Sequence, residues 1–473
     1  MKRILALSLC ILTLFLCACQ PTPDHDIIIN QGEADQAGMG KRNTPKPAEP
    51  GSTEAPVVYY YETRASIPEH YKLDRQAYSS QVSVEIDAEV LFDKDGVFPV
   101  YEVQKRDLLS DTDLMKRFIT LLCPGSTAYY EWEPTKDDIK VQLDAAVNYH
   151  GQADSVVEID DNIIRYFQDA FKKAPDKPDK KPANPDAPMS VNDSYYLERP
   201  DGTIGYLLIN GINAIAYNSS PYLWTYYKWN ITQRELDLVE EIKISQQEAK
   251  QQADDLLTAM GFTGYSIIAA DEMAGIMINT NEWAGSYWML DYGRAFGNTM
   301  TIDERKAMFH GFTEDKSMDS SVGAPWEGIE TIRIIVGREG VVSVVCKGLT
   351  EIVDEMENDV PFIDFDSLIE RMTAHLGHRF GYKGTEKGGS DRVISVSAIQ
   401  LVYGLTCYKD RPDSGIYMPM WEIEFTQSDD MNELKEQQVY FSAIDGSPME
   451  PRAVLSNELY STTPLPNGQL PRH

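Results

Sequence analysis

Cys19 is the residue best placed to undergo chemistry near the start of the chain. It closes Leu16-Cys17-Ala18-Cys19 behind Lys2-Arg3 and an apolar run from Ile4 to Leu16. A charged n-region, a short apolar run and a small residue before the cleavage point form an export signal, too short for a spanning helix of about twenty residues. The expected chemistry is cleavage of residues 1–18 and attachment of diacylglycerol to the Cys19 thiol. Acyl chains that bury methylenes at about 0.8 kcal/mol each would then hold the chain to a membrane, on its extracytoplasmic face.

Aromatic side chains supply the next candidates. Trp224, Tyr226, Tyr227 and Trp229 cluster in one short segment, and Trp283, Tyr287, Trp288 and Tyr292 in another. Such clusters build carbohydrate-binding or peptide-binding surfaces. Trp224, Tyr226, Tyr227, Trp229, Trp283 and Trp288 are therefore the candidate binding residues, although Tyr287 and Trp288 also fit the packing of a strand. His375 and His378 are three apart and could face a metal, but Gly377 between them reads as the end of a helix, where positive charge is favoured. Asp271 with Glu272, and Asp364 with Asp366, are imaginable acid and base pairs with no spacing that selects them. Asp93-Lys94-Asp95-Gly96 lacks the further carboxylates of a calcium loop and reads as a turn.

The chain contains no HExxH, GxSxG, SxxK, P-loop or GxGxxG pattern. No catalytic residue, metal ligand or cofactor is therefore assigned. Cys123, Cys346 and Cys407 have no CxxC spacing and no zinc pattern, and read as buried small hydrophobes. The formal net charge of -31 argues against nucleic acid as a partner, and against adhesion of the body of the chain to anionic headgroups. Membrane residence is then expected to come from the lipid on Cys19.

Positioning these residues requires an α+β fold, with two domains of antiparallel sheet and packed helices. Residues 19–80 are rich in Gly, Pro and polar side chains and read as a tether; Tyr59 to Tyr61 interrupt it, so its end could pack as an extended edge. An N-terminal domain spans 81–243. It opens with the alternating strand Val82 to Val90 and continues with a helix capped by Asp111 and a second helix over Asn162–Lys173. A Pro/Lys/Asp-rich loop follows at 174–188, then strands at Tyr206–Ile209 and Asn213–Tyr217.

A C-terminal domain spans 244–455. Ser245 and Glu248 form a capping box for a helix ending at Gly261. Strands follow at Tyr265–Ala269, Ser286–Tyr292, Ile329–Val336 and Val341–Cys346. The plan recurs as a helix from Phe365 to Leu376, stopped by Gly377, and strands at Val393–Tyr403, Met418–Phe425 and Gln438–Ala443. The recurrence reads as a duplication with repeats 244–360 and 361–455. Residues 456–473 form a tail.

Gln20-Pro21-Thr22-Pro23 after the lipobox, Pro99-Val100-Tyr101-Glu102-Val103, Pro419-Met420-Trp421-Glu422-Ile423 and Ala443-Ile444-Asp445-Gly446-Ser447 resemble an uncharacterised lipoprotein family of Clostridia-type bacteria, a domain of unknown function. The C-terminal half, through Ile244-Ser245-x-x-Glu248-Ala249 leading to Gly261 and the closing Asp445-Gly446, is similar to PepSY-type and YycH/YycI-type extracytoplasmic regulatory modules. That resemblance implies an inhibitory or sensory role. The expectation is a lipid-anchored protein of the cell envelope that binds or regulates an envelope partner without catalysis. A carboxylate hydrolase of the envelope and a ligand-binding lipoprotein of a transporter are the alternatives.

Overall fold

The computed structural model describes residues 64–77, 82–150, 161–177, 180–188, 194–210, 214–228, 233–277, 279–280, 282–302, 330–381, 392–407, 413–429 and 432–449. Cys19, Trp229, most of the proposed tether and the tail lie outside them. The chain divides into two units, each built from separated segments. Unit 1 comprises residues 1–104, 296–324 and 352–453, and unit 2 comprises 105–295, 325–351 and 454–473. This division differs from the sequential domains 81–243 and 244–455, because the boundary expected near Lys243 falls inside unit 2.

Unit 1 carries β1 (His70–Ala77), β2 (Val82–Leu91) and β3 (Val100–Lys105) from the start of the chain. On β2, Val82, Val84, Ile86, Ala88 and Val90 are buried, as their period of two requires. β1 pairs antiparallel with β2, His70 opposite Glu89 and Leu73 opposite Ile86. Residues 70–77 are thus sheet where the composition suggests tether. Most β1 side chains are exposed, so backbone pairing holds the strand and no apolar period marks it.

Unit 2 begins with α1 (Thr112–Leu122), β4 (Thr127–Trp132), α2 (Lys136–Tyr149) and α3 (Asp161–Lys173). Asp111 caps α1 by accepting from the Leu114 amide at 2.9 Å. Helix α2 carries little sequence signal because its inward residues are Ile139, Gln142, Ala145 and Ala146. A reciprocal Thr135–Asp138 cap starts it. β5 (Lys180–Pro182) then adds to the edge beside β4, Tyr129 opposite Pro182. The stretch read as an irregular loop at 174–188 therefore contains an edge strand, the position at which a sheet tolerates proline.

β6 (Ser194–Glu198), β7 (Ile204–Asn210), β8 (Ala214–Asn218) and β9 (Leu223–Tyr227) follow, and then α4 (Gln233–Leu236) and α5 (Gln246–Met260). The Ser245–Glu248 capping box forms reciprocally, with Ser245 N–H donating to Glu248 Oε2 at 2.8 Å and Glu248 N–H to Ser245 Oγ at 3.2 Å. β10 (Tyr265–Met277), β11 (Glu282–Phe296), β13 (Thr331–Gly337) and β14 (Gly340–Lys347) come next in unit 2, with β12 (Thr299–Met300) falling in the middle segment of unit 1. In unit 2 the path is β5-β4-β6-β7-β8-β14-β13-β11-β10-β9, antiparallel throughout.

One face of this sheet makes the main core of unit 2. Leu114, Met115 and Phe118 of α1 and Ala249, Ala253, Leu257 and Met260 of α5 pack with Leu207, Leu290, Ile332, Ile334 and Val344 of the strands. The Tyr292 hydroxyl donates to Asp254 on α5 at 2.8 Å. Met273, Met289 and Ile335 form a smaller cluster, with Tyr227, Tyr287 and Val342 packed against it. By strand alternation these residues lie on the opposite face.

The rest of unit 1 is β15 (Thr350–Glu357), α6 (Phe365–Gly381), β16 (Arg392–Cys407), β17 (Ser414–Asp429), β18 (Asn432–Ser442) and β19 (Pro448–Met449). Its sheet runs β1-β2-β16-β17-β18-β19, with β3 joining β17 to β15. The β2–β16 pair is parallel, Val84 opposite Ile394, so the first and last thirds of the sequence form one sheet. Trp421 is almost wholly buried, with the Phe92, Phe362 and Phe365 rings edge-on to it. Helix α6 runs through Gly377 to Gly381, correcting the stop expected there. Leu376 and Gly377 are both buried, and packing outweighs the intrinsic cost of about 1 kcal/mol for a helical glycine.

Candidate functional site

The two aromatic segments meet on adjacent strands. β9 pairs with β10 so that Trp224 lies opposite Ile276, Tyr226 opposite Ala274 and Tyr227 opposite Met273. On its other side, β10 places Ile276 opposite Trp283, Ala274 opposite Ser286, Met273 opposite Tyr287 and Glu272 opposite Trp288. Directly opposed residues share a face. One face therefore carries the rows Trp224–Ile276–Trp283 and Tyr226–Ala274–Ser286, followed by Glu272 and Trp288. Tyr227 and Tyr287 point to the other face, so the sequence clusters divide between two surfaces.

A one-residue irregularity makes the outer row. The register shifts between Gly275, opposite Gly285, and Ile276, opposite Trp283, leaving Ala284 as the extra residue in β11. Without the shift Ala284 would face Ile276, and Trp283 would fall on the opposite face. Gly285 has φ +122°, and a Cβ built there meets nothing within 4 Å. Its requirement for glycine is conformational. Gly275 differs: a Cβ there would lie 2.4 Å from the Tyr287 ring and 3.1 Å from Leu223.

Hydrogen bonding separates the three tryptophans of this face. Trp288 Nε1 donates to the Ile244 carbonyl at 3.0 Å, and Ser286 Oγ to the Glu240 carbonyl at 2.6 Å. The segment before α5 thus fastens the inner part of the face. Trp224 Nε1 and Trp283 Nε1 are buried and donate to nothing, and Asn279 Oδ1, in the β10–β11 turn, accepts from nothing. Each costs about 1–3 kcal/mol. Strands lie about 4.8 Å apart, so the two tryptophan Cα atoms are about 10 Å apart across Ile276.

Lys228 Nζ reaches Glu272 Oε2 at 2.5 Å on the inward side of the rows. Burial pushes the Tyr226 phenol above its ordinary value. The surface is aromatic and apolar, with donors at its outer end and an ion pair at its inner end. Ile276 and Ala274 at its centre are buried, so contact with a ligand is confined to the part-exposed tryptophan rings, whose N–H groups donate only after the rings turn.

Glu272, Asp364 and His375 hold structure. Glu272 is paired as described. Asp364 Oδ1 accepts the Ser367 amide at 2.9 Å and caps α6. The His375 ring lies edge-on to Phe441, and His378 follows within the same helix. Among the described residues no three His, Cys, Asp or Glu side chains gather as a metal set. Cys123 and Cys346 are buried free thiols, both pushed up by burial.

Two buried ion pairs in unit 2 were not legible as pairs. Arg333 holds Asp291 through two bonds of 2.7 and 2.9 Å from neighbouring strands. Arg294 holds Glu330 at 2.7 and 2.8 Å, and Glu330 also accepts from Tyr265, the Thr350 amide and the Thr350 hydroxyl. Burial alone would raise the Glu330 carboxyl, but the Arg294 charge and these bonds hold it below its ordinary value. Each partner is closed on the other, which suits fastening strands.

No known family model matches the chain, and no curated protein does. Among solved structures, the chain is similar to an uncharacterised protein from Eubacterium rectale ATCC 33656, at 12% identity and TM-score 0.38, over 81% of this chain and 94% of that one. It is also similar to the Bacillus megaterium YpeB C-terminal domain, at 8% identity and TM-score 0.22, over 67% of this chain and 96% of that one. Both likenesses are too distant to carry functional residues across.

Proposed function

We propose that this chain is an extracytoplasmic protein, held to a membrane by acyl chains on Cys19, that binds an envelope ligand or partner through the Trp224–Ile276–Trp283 row and acts without catalysis. The observation that carries the reading is the outer end of the β10–β11 hairpin. A register shift there turns Trp283 onto the face of Trp224, and both indole N–H groups and Asn279 Oδ1 stand unpaired. A ligand oxygen reaches either buried donor only after the indole turns about its side-chain torsion, so binding must change the environment of the rings.

Two measurements test the reading. Crosslinking in membranes followed by capture should recover an envelope component from the native chain, and several-fold less from a Trp224→Ala/Trp283→Ala chain. Capture of no membrane or wall component, together with cleavage of wall polymer by the purified protein, would overturn it. Cys19→Ala should abolish palmitate labelling and release the protein from the membrane fraction; unchanged labelling rejects the anchor.

A further inference from the structure

β15 ends a branch of the unit 1 sheet. It pairs with β3 on one side and no described strand lies on the other, so alternate backbone N–H and C=O groups along that side meet no ladder. Ile352, Val353, Asp354 and Glu355 are all exposed. Ile352 and Val353 are adjacent and point to opposite faces, 45% and 53% exposed. Neither face of this stretch is covered.

The strands that end the two main sheet paths are protected. β5 carries two lysines and a proline, β19 is two residues long, β1 carries Lys72 and Arg75, and no residue of β9 is exposed. Lysine, proline and shortness keep an edge from pairing. Residues 352–357 have no proline and no basic side chain, and place two β-branched residues in the open. The charges differ as well. On β1 they are matched, His70 and Lys72 both pairing with Asp87 of β2, whereas Asp354, Glu355 and Glu357 form no ion pair among the described residues.

These acids select the occupant. Like charges directly opposite destabilise a strand pair and opposite charges stabilise it. A second copy of this edge is repelled, as is any acidic strand, while a basic one is attracted. Val353, Glu355 and Glu357 share one face, and Ile352, Asp354 and Met356 the other. The matching strand therefore has lysine or arginine opposite the three acids and apolar residues opposite Ile352, Val353 and Met356.

We infer that the free edge of β15 is a docking site for an extended, lysine- or arginine-rich segment of another protein, which adds a strand beside residues 352–357 through main-chain hydrogen bonds. The inference rests on neither the aromatic row nor the acylation of Cys19.

The test uses the mature chain with Cys19→Ser and a labelled probe peptide, acetyl-Lys-Val-Lys-Lys-Val-Val-amide, written to lie antiparallel with its first residue opposite Glu357. By fluorescence anisotropy it should bind about tenfold more tightly than the peptide with glutamate at the lysine positions, and less tightly as salt rises. Asp354→Lys/Glu355→Lys, at two exposed positions, should reverse that preference with far-ultraviolet circular dichroism unchanged. Only every second amide of an added strand faces the sheet. N-methylation of one alternate set of peptide amides should therefore abolish binding, and methylation of the other set should spare it. No binding of the lysine peptide, equal binding of both peptides, or indifference to both methylated sets overturns the inference. So does a dimer in solution that Val353→Lys dissociates while no peptide binds, which makes a second copy the occupant.

Discussion

Gly285→Ala is the most direct test of how the aromatic row is built. The substitution adds one methyl group to a position where nothing lies within 4 Å, so crowding contributes nothing. The cost comes from holding an L-residue at φ +122°, about 1–3 kcal/mol. With a urea dependence of about 2 kcal/mol per molar, the unfolding midpoint of unit 2 should fall by about 0.5–1.5 M. A chain that escapes the strain by removing the extra residue from the strand would move Ala284 opposite Ile276 and Trp283 to the other face. Near-ultraviolet circular dichroism from the tryptophans would then change as well. Gly275→Ala supplies the contrast, because its methyl would meet the Tyr287 ring. Shortening Tyr287 should relieve Gly275→Ala but leave the cost of Gly285→Ala unchanged. A Gly285→Ala protein with an unshifted midpoint and an unchanged near-ultraviolet spectrum would refute the register argument.

Other perturbations address the network and the caps. Glu330→Gln leaves Arg294 buried without its counter-charge and should cost about 3–5 kcal/mol by denaturant titration. Because the Glu330 carboxyl lies below its ordinary value of 4.5, its contribution is complete above that pH and disappears as the pH falls through the lower folded value. Glu330→Gln should therefore flatten the acid limb of the stability profile, and an identical limb would contradict the assignment. Asp291→Leu and Arg333→Leu should each destabilise by about 3–5 kcal/mol while the double substitution costs much less, measured as a double-mutant cycle. Ser245→Ala should cost about 1 kcal/mol through the lost α5 cap, read from the thermal midpoint.

Much of the local structure is legible in the sequence. The period of two over Val82–Val90, the capping residues Asp111 and Ser245, and the glycine after Met260 act within a few residues of themselves, so their outcome needs no distant partner. Elements held mainly by backbone pairing left weaker traces. β1 exposes most of its side chains, and α2 turns Gln142 and two alanines inward, so neither shows a strong apolar period. Gly377 shows the converse: a residue that breaks isolated helices is carried through where it and Leu376 are buried.

The candidate site divides along the same line. Sequence alone determined the α+β character, the two aromatic segments and the expected acylation motif at Cys19. Only tertiary structure decided that β9 and β11 flank β10, that Trp224 and Trp283 share a face while Tyr227 and Tyr287 take the other, and that β2 pairs parallel with β16, Val84 with Ile394, 310 positions apart in sequence. The reason is that a strand's partner and register are set by burial and hydrogen bonding summed over the sheet. A shift of one residue leaves the local sequence unchanged and reverses the face on which every following side chain stands.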